Sequence, residues 1–118
     1  MKVMIVDDSI LLQSRLTNAL RKVDENMNIS RANSCKEALE LFSQFEPDTV
    51  ILDIALPDGS GINLLQRFKK EASEVHVIML TNYPTEEFKK NCMELGADCF
   101  FDKSNMKGLI NIIKYNKL

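Results

Sequence analysis

Tryptophan is absent from these 118 residues, histidine occurs once, and glycine, proline and cysteine number four, three and three. Each scarcity closes off a class of protein. Cys35, Cys92 and Cys99 are an odd number with no C-x-x-C pair and no nearby histidine, which excludes a disulfide framework and a zinc site and leaves three reduced thiols. Few glycines and prolines, with 45% hydrophobic and 27% charged residues, exclude a disordered or low-complexity chain. Positive charge is not in excess: 15 Lys and Arg against 17 Asp and Glu give a formal charge of −2, so no nucleic acid partner is expected. No run approaches the roughly 18 apolar residues of a membrane span, and Met1 to Asp8 is too short for a signal peptide, so no membrane partner is expected and the reading is cytoplasmic. The length suits one domain, 1–118, and no linker or attached output domain is expected.

What is present is an alternation, about five times over, of a short apolar run and a longer stretch of helical spacing. The runs are Val3 to Val6, Ile29 to Ala32, Thr49 to Leu52, Val75 to Leu80 and Cys99 to Phe101. The first, third and fourth are nearly continuous, as strands buried on both faces require. Between runs, Leu12, Leu16, Ala19, Leu20 and Val23 form a helical stripe, as do Ala38, Leu41, Phe42 and Phe45, and Met106, Leu109, Ile110 and Ile113. Ser34 and Glu37 read as a capping box, and Gly96 as a helix stop after Leu95. The pattern predicts an α/β fold: a three-layer (βα)5 doubly wound parallel sheet of flavodoxin-like topology, strand order 2-1-3-4-5. In such a sheet ligands bind outside the carboxyl ends of the strands.

Those ends carry Asp7 and Asp8 after the first strand, Asp53 after the third, Thr81 after the fourth and Lys103 after the fifth. Taken singly, an Asp there is a common turn former and a lysine an ordinary surface residue. Together they form a chemical set. Two carboxylates about 4 Å apart repel by about 4 kcal/mol at an effective dielectric of 20, so three of them protonate or recruit a cation. Hard oxygen donors suit Mg²⁺, which typically serves a phosphoryl group, and a nearby ammonium and hydroxyl would neutralise that group's oxygens.

These residues also carry a resemblance. The Asp7-Asp8 pair, Leu52-Asp53 followed by Pro57 and Gly61, Thr81, and Gly96-Ala97-Asp98 leading to Phe100 and Lys103 resemble the receiver domain of bacterial two-component response regulators, over the whole chain. The resemblance implies that Asp53 is the phosphoacceptor, served by a sensor histidine kinase or a histidine phosphotransfer protein. Asp7, Asp8, Asp53 and the backbone carbonyl of Ala55 would surround Mg²⁺. Lys103 and Thr81 would bind the phosphoryl oxygens, and Thr81 with Phe100 would form the switch. No enzymatic output is expected. The protein target would dock on the face made by the fourth helix, fifth strand and fifth helix, where Phe101, Ile112 and Tyr115 suggest an apolar patch.

Several positions depart from that family. Ser104 replaces a usual, usually cis, proline, so a trans Lys103-Ser104 bond is expected, with Ser104 capping the last helix. Asn82, Tyr83 and Ala55 line the approach to Asp53, the first two screening it and Ala55 offering no polar group, so a long-lived phosphorylated form is expected. His76 lies within the fourth run, away from the rim, and so is not expected to be a base. A haloacid-dehalogenase-like hydrolase would need a second Asp where Ala55 stands, and a flavodoxin-like carrier would need a Ser/Thr-rich loop where Asp7-Asp8 would repel its phosphate. The alternative that stays open is a degenerate receiver working as a phosphorylation-independent interaction module.

Overall fold

The computed structural model describes all 118 residues. Five parallel strands, β1 (Lys2–Val6), β2 (Asn28–Ala32), β3 (Thr49–Leu52), β6 (His76–Thr81) and β7 (Cys99–Asp102), form one sheet in the order β2-β1-β3-β6-β7. This is the expected 2-1-3-4-5 order. The numbering differs because the loop after β3 contains a two-residue antiparallel pair, β4 (Ala55–Leu56) and β5 (Gly59–Ser60), which the alternation of runs did not show. Strands that short have no period to read.

Strand alternation divides the core in two. Met4, Val6, Val50, Leu52, Val77 and Met79 face one side, beneath α2 (Cys35–Phe45), α3 (Gly61–Glu71) and α4 (Glu86–Glu94), where Phe42 and Phe68 stack at 4.1 Å between ring centroids. Val3, Ile5, Ile51, Ile78 and Leu80 face the other, beneath Leu16 and Leu20 of α1 (Ile10–Val23) and Leu109 and Ile113 of α5 (Met106–Lys114). Burying a side chain of this size contributes about 1.5 to 3 kcal/mol, so the two half-cores hold the sheet between its helices. No helix is long and apolar enough to cross a membrane.

Local signals mostly hold. Ser9, Ser34 and Thr85 cap α1, α2 and α4 through their hydroxyls, and Gly96 sits at φ +101° just past α4. Glu37 completes its capping box one residue early, accepting from the Asn33 amide at 3.2 Å. The Lys103-Ser104 bond is trans, as expected, but Ser104 does not cap α5. Asn105 does, its Oδ1 accepting from the Gly108 amide at 3.1 Å, while the Ser104 amide donates to Asp102 Oδ1 at 2.9 Å. Phe101 is half-buried. Neighbours on a strand face opposite ways, so Phe100 packs on the α4 side and Phe101 on the α5 side, against the two half-cores. Tyr115 and Met93 remain exposed.

Thr49 stands out at the amino end of β3, 1% exposed with an Oγ1 that has no hydrogen-bond partner. A buried unsatisfied hydroxyl costs about 1 to 3 kcal/mol, and valine has the same shape without it. Thr49→Val is therefore expected to stabilise the fold by about 1 kcal/mol in urea unfolding. Unchanged or lower stability would contradict the orphan hydroxyl.

Candidate functional site

The carboxyl ends of β1, β3, β6 and β7 converge on one rim. Because parallel strands in register end together, Val6 pairs with Leu52 and Leu52 with Met79, which sets Asp7, Asp53 and Thr81 at neighbouring strand ends. Asp7 and Asp53 are buried, at 2% and 5% exposure, and Asp8 is exposed. One carboxylate oxygen from each of Asp7, Asp8 and Asp53 lies within 4.8 Å of the others. Three hard, anionic donors at that spacing fit a divalent cation with room for water ligands.

Lys103 reaches this cluster from the turn after β7. Its Nζ is 2.8 Å from both Asp7 Oδ2 and Asp53 Oδ2, and its side chain is 14% exposed. Burial alone would lower the ammonium's pKa, but hydrogen bonds to Asp53 and Asp7 and their charges outweigh it and hold it above the ordinary lysine value. Burial pushes the Asp53 carboxyl up, against the lowering effect of Lys103, and the charge of Asp7 adds to the rise. The turn itself is pinned: the Lys103 amide donates to the Thr81 carbonyl at 2.8 Å, and Asp102 holds the next amide.

Thr81 is fully buried, and its Oγ1 accepts from the Tyr83 amide at 3.0 Å rather than contacting Asp53. Phe100, paired with Met79 in the sheet, is half-buried on the α4 side. Ala55 is exposed on the rim, its amide 3.4 Å from Asp53 Oδ1. Asn82 and Tyr83 are exposed beyond Thr81, Tyr83 at 58%. Asn82 also lines, with Leu11, Arg15 and Lys103, a groove of about 410 Å³ beside the cluster. The largest cavity, about 600 Å³, opens at the other end of the sheet near His76, remote from this chemistry. His76 Nδ1 lies there 3.6 Å from Asp98 Oδ1, away from the rim as its place in the strand required.

Two residues that sequence reasoning passed over hold the site in shape. Asp58, at the tip of the β4–β5 loop, accepts from the Cys35 and Lys36 amides at 2.7 and 3.0 Å, fastening the loop to the start of α2. Those backbone bonds hold its carboxyl below the ordinary range. Gln13 on α1, 3% exposed, donates to the Asp7 carbonyl at 2.6 Å, Asn33 Oδ1 at 2.5 Å and the Ala32 carbonyl at 3.3 Å. It fell outside the apolar stripe, and nothing local marks a glutamine as buried.

Comparison with known proteins gives a consistent answer. The family model for the response regulator receiver domain matches residues 3–114. The chemotaxis protein CheY of Halobacterium salinarum is 32% identical over 107 residues, covering 90% of this chain and 87% of that protein. A CheY-like receiver domain protein from Methanospirillum hungatei superposes with a TM-score of 0.88 at 27% identity, covering 98% of this chain and 91% of that one. The CheX-CheY-BeF3-Mg complex of Borrelia burgdorferi matches with a TM-score of 0.89 at 27% identity, over 100% and 90% of the respective chains. Other curated relatives are longer: this chain spans 28% of a protein-glutamate methylesterase from Treponema denticola and 45% of a transcriptional regulator from Bacillus subtilis.

Proposed function

The chain belongs to the response regulator receiver domain family, and we propose that within it Asp53 accepts a phosphoryl group from a phosphohistidine donor and thereby switches a protein-interaction surface. The observation that carries this reading is Lys103 Nζ at 2.8 Å from two buried carboxylates, a fixed cation beside the strand-end carboxylate that would react. The donor would be a sensor histidine kinase or a histidine phosphotransfer protein.

Asp7, Asp8, Asp53 and the Ala55 carbonyl are the groups that would hold Mg²⁺. Bound there, the ion offsets the negative charge on the transferring phosphoryl oxygens. An Asp53 carboxylate oxygen attacks phosphorus as the P–N bond breaks, the electron pair leaves with the donor imidazole, and an acyl phosphate remains. Lys103 exchanges its bond to Asp53 Oδ2 for the new phosphoryl oxygens, a charge-assisted contact formed where negative charge accumulates. Thr81 accepts from the Tyr83 amide, which leaves its own O–H proton free to donate inward. Its movement, with Phe100 following on the neighbouring strand, would alter the face formed by α4, β7 and α5, where the protein target docks. Asn82 and Tyr83, exposed and next in the chain after Thr81, would screen the approach and slow water's attack on the acyl phosphate.

Intact mass after incubation with acetyl phosphate tests this reading. A gain of one phosphoryl group that requires Mg²⁺ and is absent in Asp53→Asn is expected. No gain, under conditions that label a control receiver, would favour the phosphorylation-independent interaction module.

A further inference from the structure

We propose that Gln13 is a positioning residue for the acidic pair, fixing the backbone between Asp7 and Asp8 so that Asp8 stays aimed at the cation site. The inference rests on the Mg²⁺ reading of that site. Its starting point is an unusual burial: an amide side chain 3% exposed in the first turns of α1, facing the sheet rather than solvent. Two of the three atoms its amide meets are backbone carbonyls, which only accept hydrogen bonds, so the Nε2 side of the amide must face them. The strongest of the carbonyl contacts, 2.6 Å, is to Asp7.

The carbonyl of Asp7 and the amide of Asp8 belong to one planar peptide unit. Holding the carbonyl therefore holds the orientation from which the Asp8 side chain departs. The rest of Asp7 is held as well, since its amide donates to the Ala32 carbonyl at 3.1 Å and its Oδ1 accepts from the Ser9 amide at 2.8 Å. Asp8 has no such restraint of its own. It is exposed, no hydrogen bond or ion pair engages its carboxylate, and the charges of Asp7 and Asp53 push it outward. What keeps its oxygen within 4.8 Å of theirs is the backbone, and the backbone is clamped by Gln13. Asn33, across the network, steadies the glutamine but touches neither acid.

The test is Mg²⁺ affinity, measured by calorimetric titration with the metal alone. Gln13→Met keeps the length and removes the donor, and it is expected to weaken Mg²⁺ binding about 10-fold, the usual cost of losing a residue that orients a ligand. Asn33→Ala is expected to change it less than about twofold, because the Asp7 contact survives. Thermal unfolding in EDTA separates a misfolded variant from a misaligned one. If Gln13→Met does not fold, Gln13→His, which retains a neutral N–H donor, is expected to stay within about threefold of the wild type, and a tenfold loss there would overturn the assignment. Wild-type affinity in folded Gln13→Met, or equal weakening in Asn33→Ala, would also overturn it. If the wild type takes up no Mg²⁺, both this inference and the metal reading of the site fail, whereas wild-type binding with an unaffected Gln13→Met removes this inference alone.

Discussion

Gly61→Ala is expected to destabilise the protein by about 3 kcal/mol or more, the upper end of what overpacking usually costs. A Cβ at this position would lie 1.8 Å from the Asp53 carbonyl oxygen, 2.8 Å from its carbon and 3.0 Å from Ile54 Cα. All three are backbone atoms of the segment that carries the central carboxylate, and none can swing aside as a flexible side chain would. The Gly61 amide donates to the Ile54 carbonyl at 2.7 Å, closing the loop between β3 and α3, and the added methyl would force that bond open. The requirement is for space rather than for a left-handed backbone. Urea unfolding reads the loss, and a variant within about 0.5 kcal/mol of wild type would show that the loop yields at little cost.

Lys103→Met is the second large effect. Removing one partner from a buried ionic group usually costs about 3 to 5 kcal/mol, because the remaining charges are left without compensation. Here two buried carboxylates lose the one ammonium between them. The direction with pH follows from Asp53, whose carboxyl already sits above its ordinary value through burial and which would rise further without Lys103. A group with a raised folded pKa binds its proton more tightly in the native state, so its stabilising contribution is present in acid and is lost as pH rises through the folded value. The variant is therefore expected to be closest to wild type near about pH 4 and furthest below it near about pH 7.5, in urea unfolding with EDTA. Mg²⁺ is expected to restore more stability to the variant than to wild type, since the ion would supply the missing positive charge. A deficit independent of both pH and Mg²⁺ would mean that Lys103 contributes through packing alone.

The parallel sheet was legible because Val3 to Val6 and Thr49 to Leu52 are apolar on both faces, a pattern with few other uses. The strand-end residues were legible by position, since once the strands are placed their carboxyl ends are adjacent. What escaped notice depends on contacts distant in sequence. Gln13 looks like any polar residue beside a helical stripe, and only the carbonyls of Asp7 and Ala32, just where β1 and β2 end, give it a reason to be inside. Asp58 reads as a turn former until α2 brings its amides within reach. The cap of α5 falls on Asn105 rather than Ser104 because a turn closed by the Asn105 amide on the Asp102 carbonyl at 2.8 Å puts the first helical residue at Met106.

The shared lysine has a consequence for ionic selectivity. Three carboxylates facing one ammonium leave the cleft with an excess of two negative charges. A single divalent ion would bring it to electroneutrality, whereas a monovalent ion would leave a residual field and a trivalent one would overshoot. A cation held there would thus be selected by valence before coordination geometry or ionic radius entered. The cleft's pull on cations in solution is long-ranged only where background salt is dilute, fading beyond roughly 8 Å at physiological ionic strength.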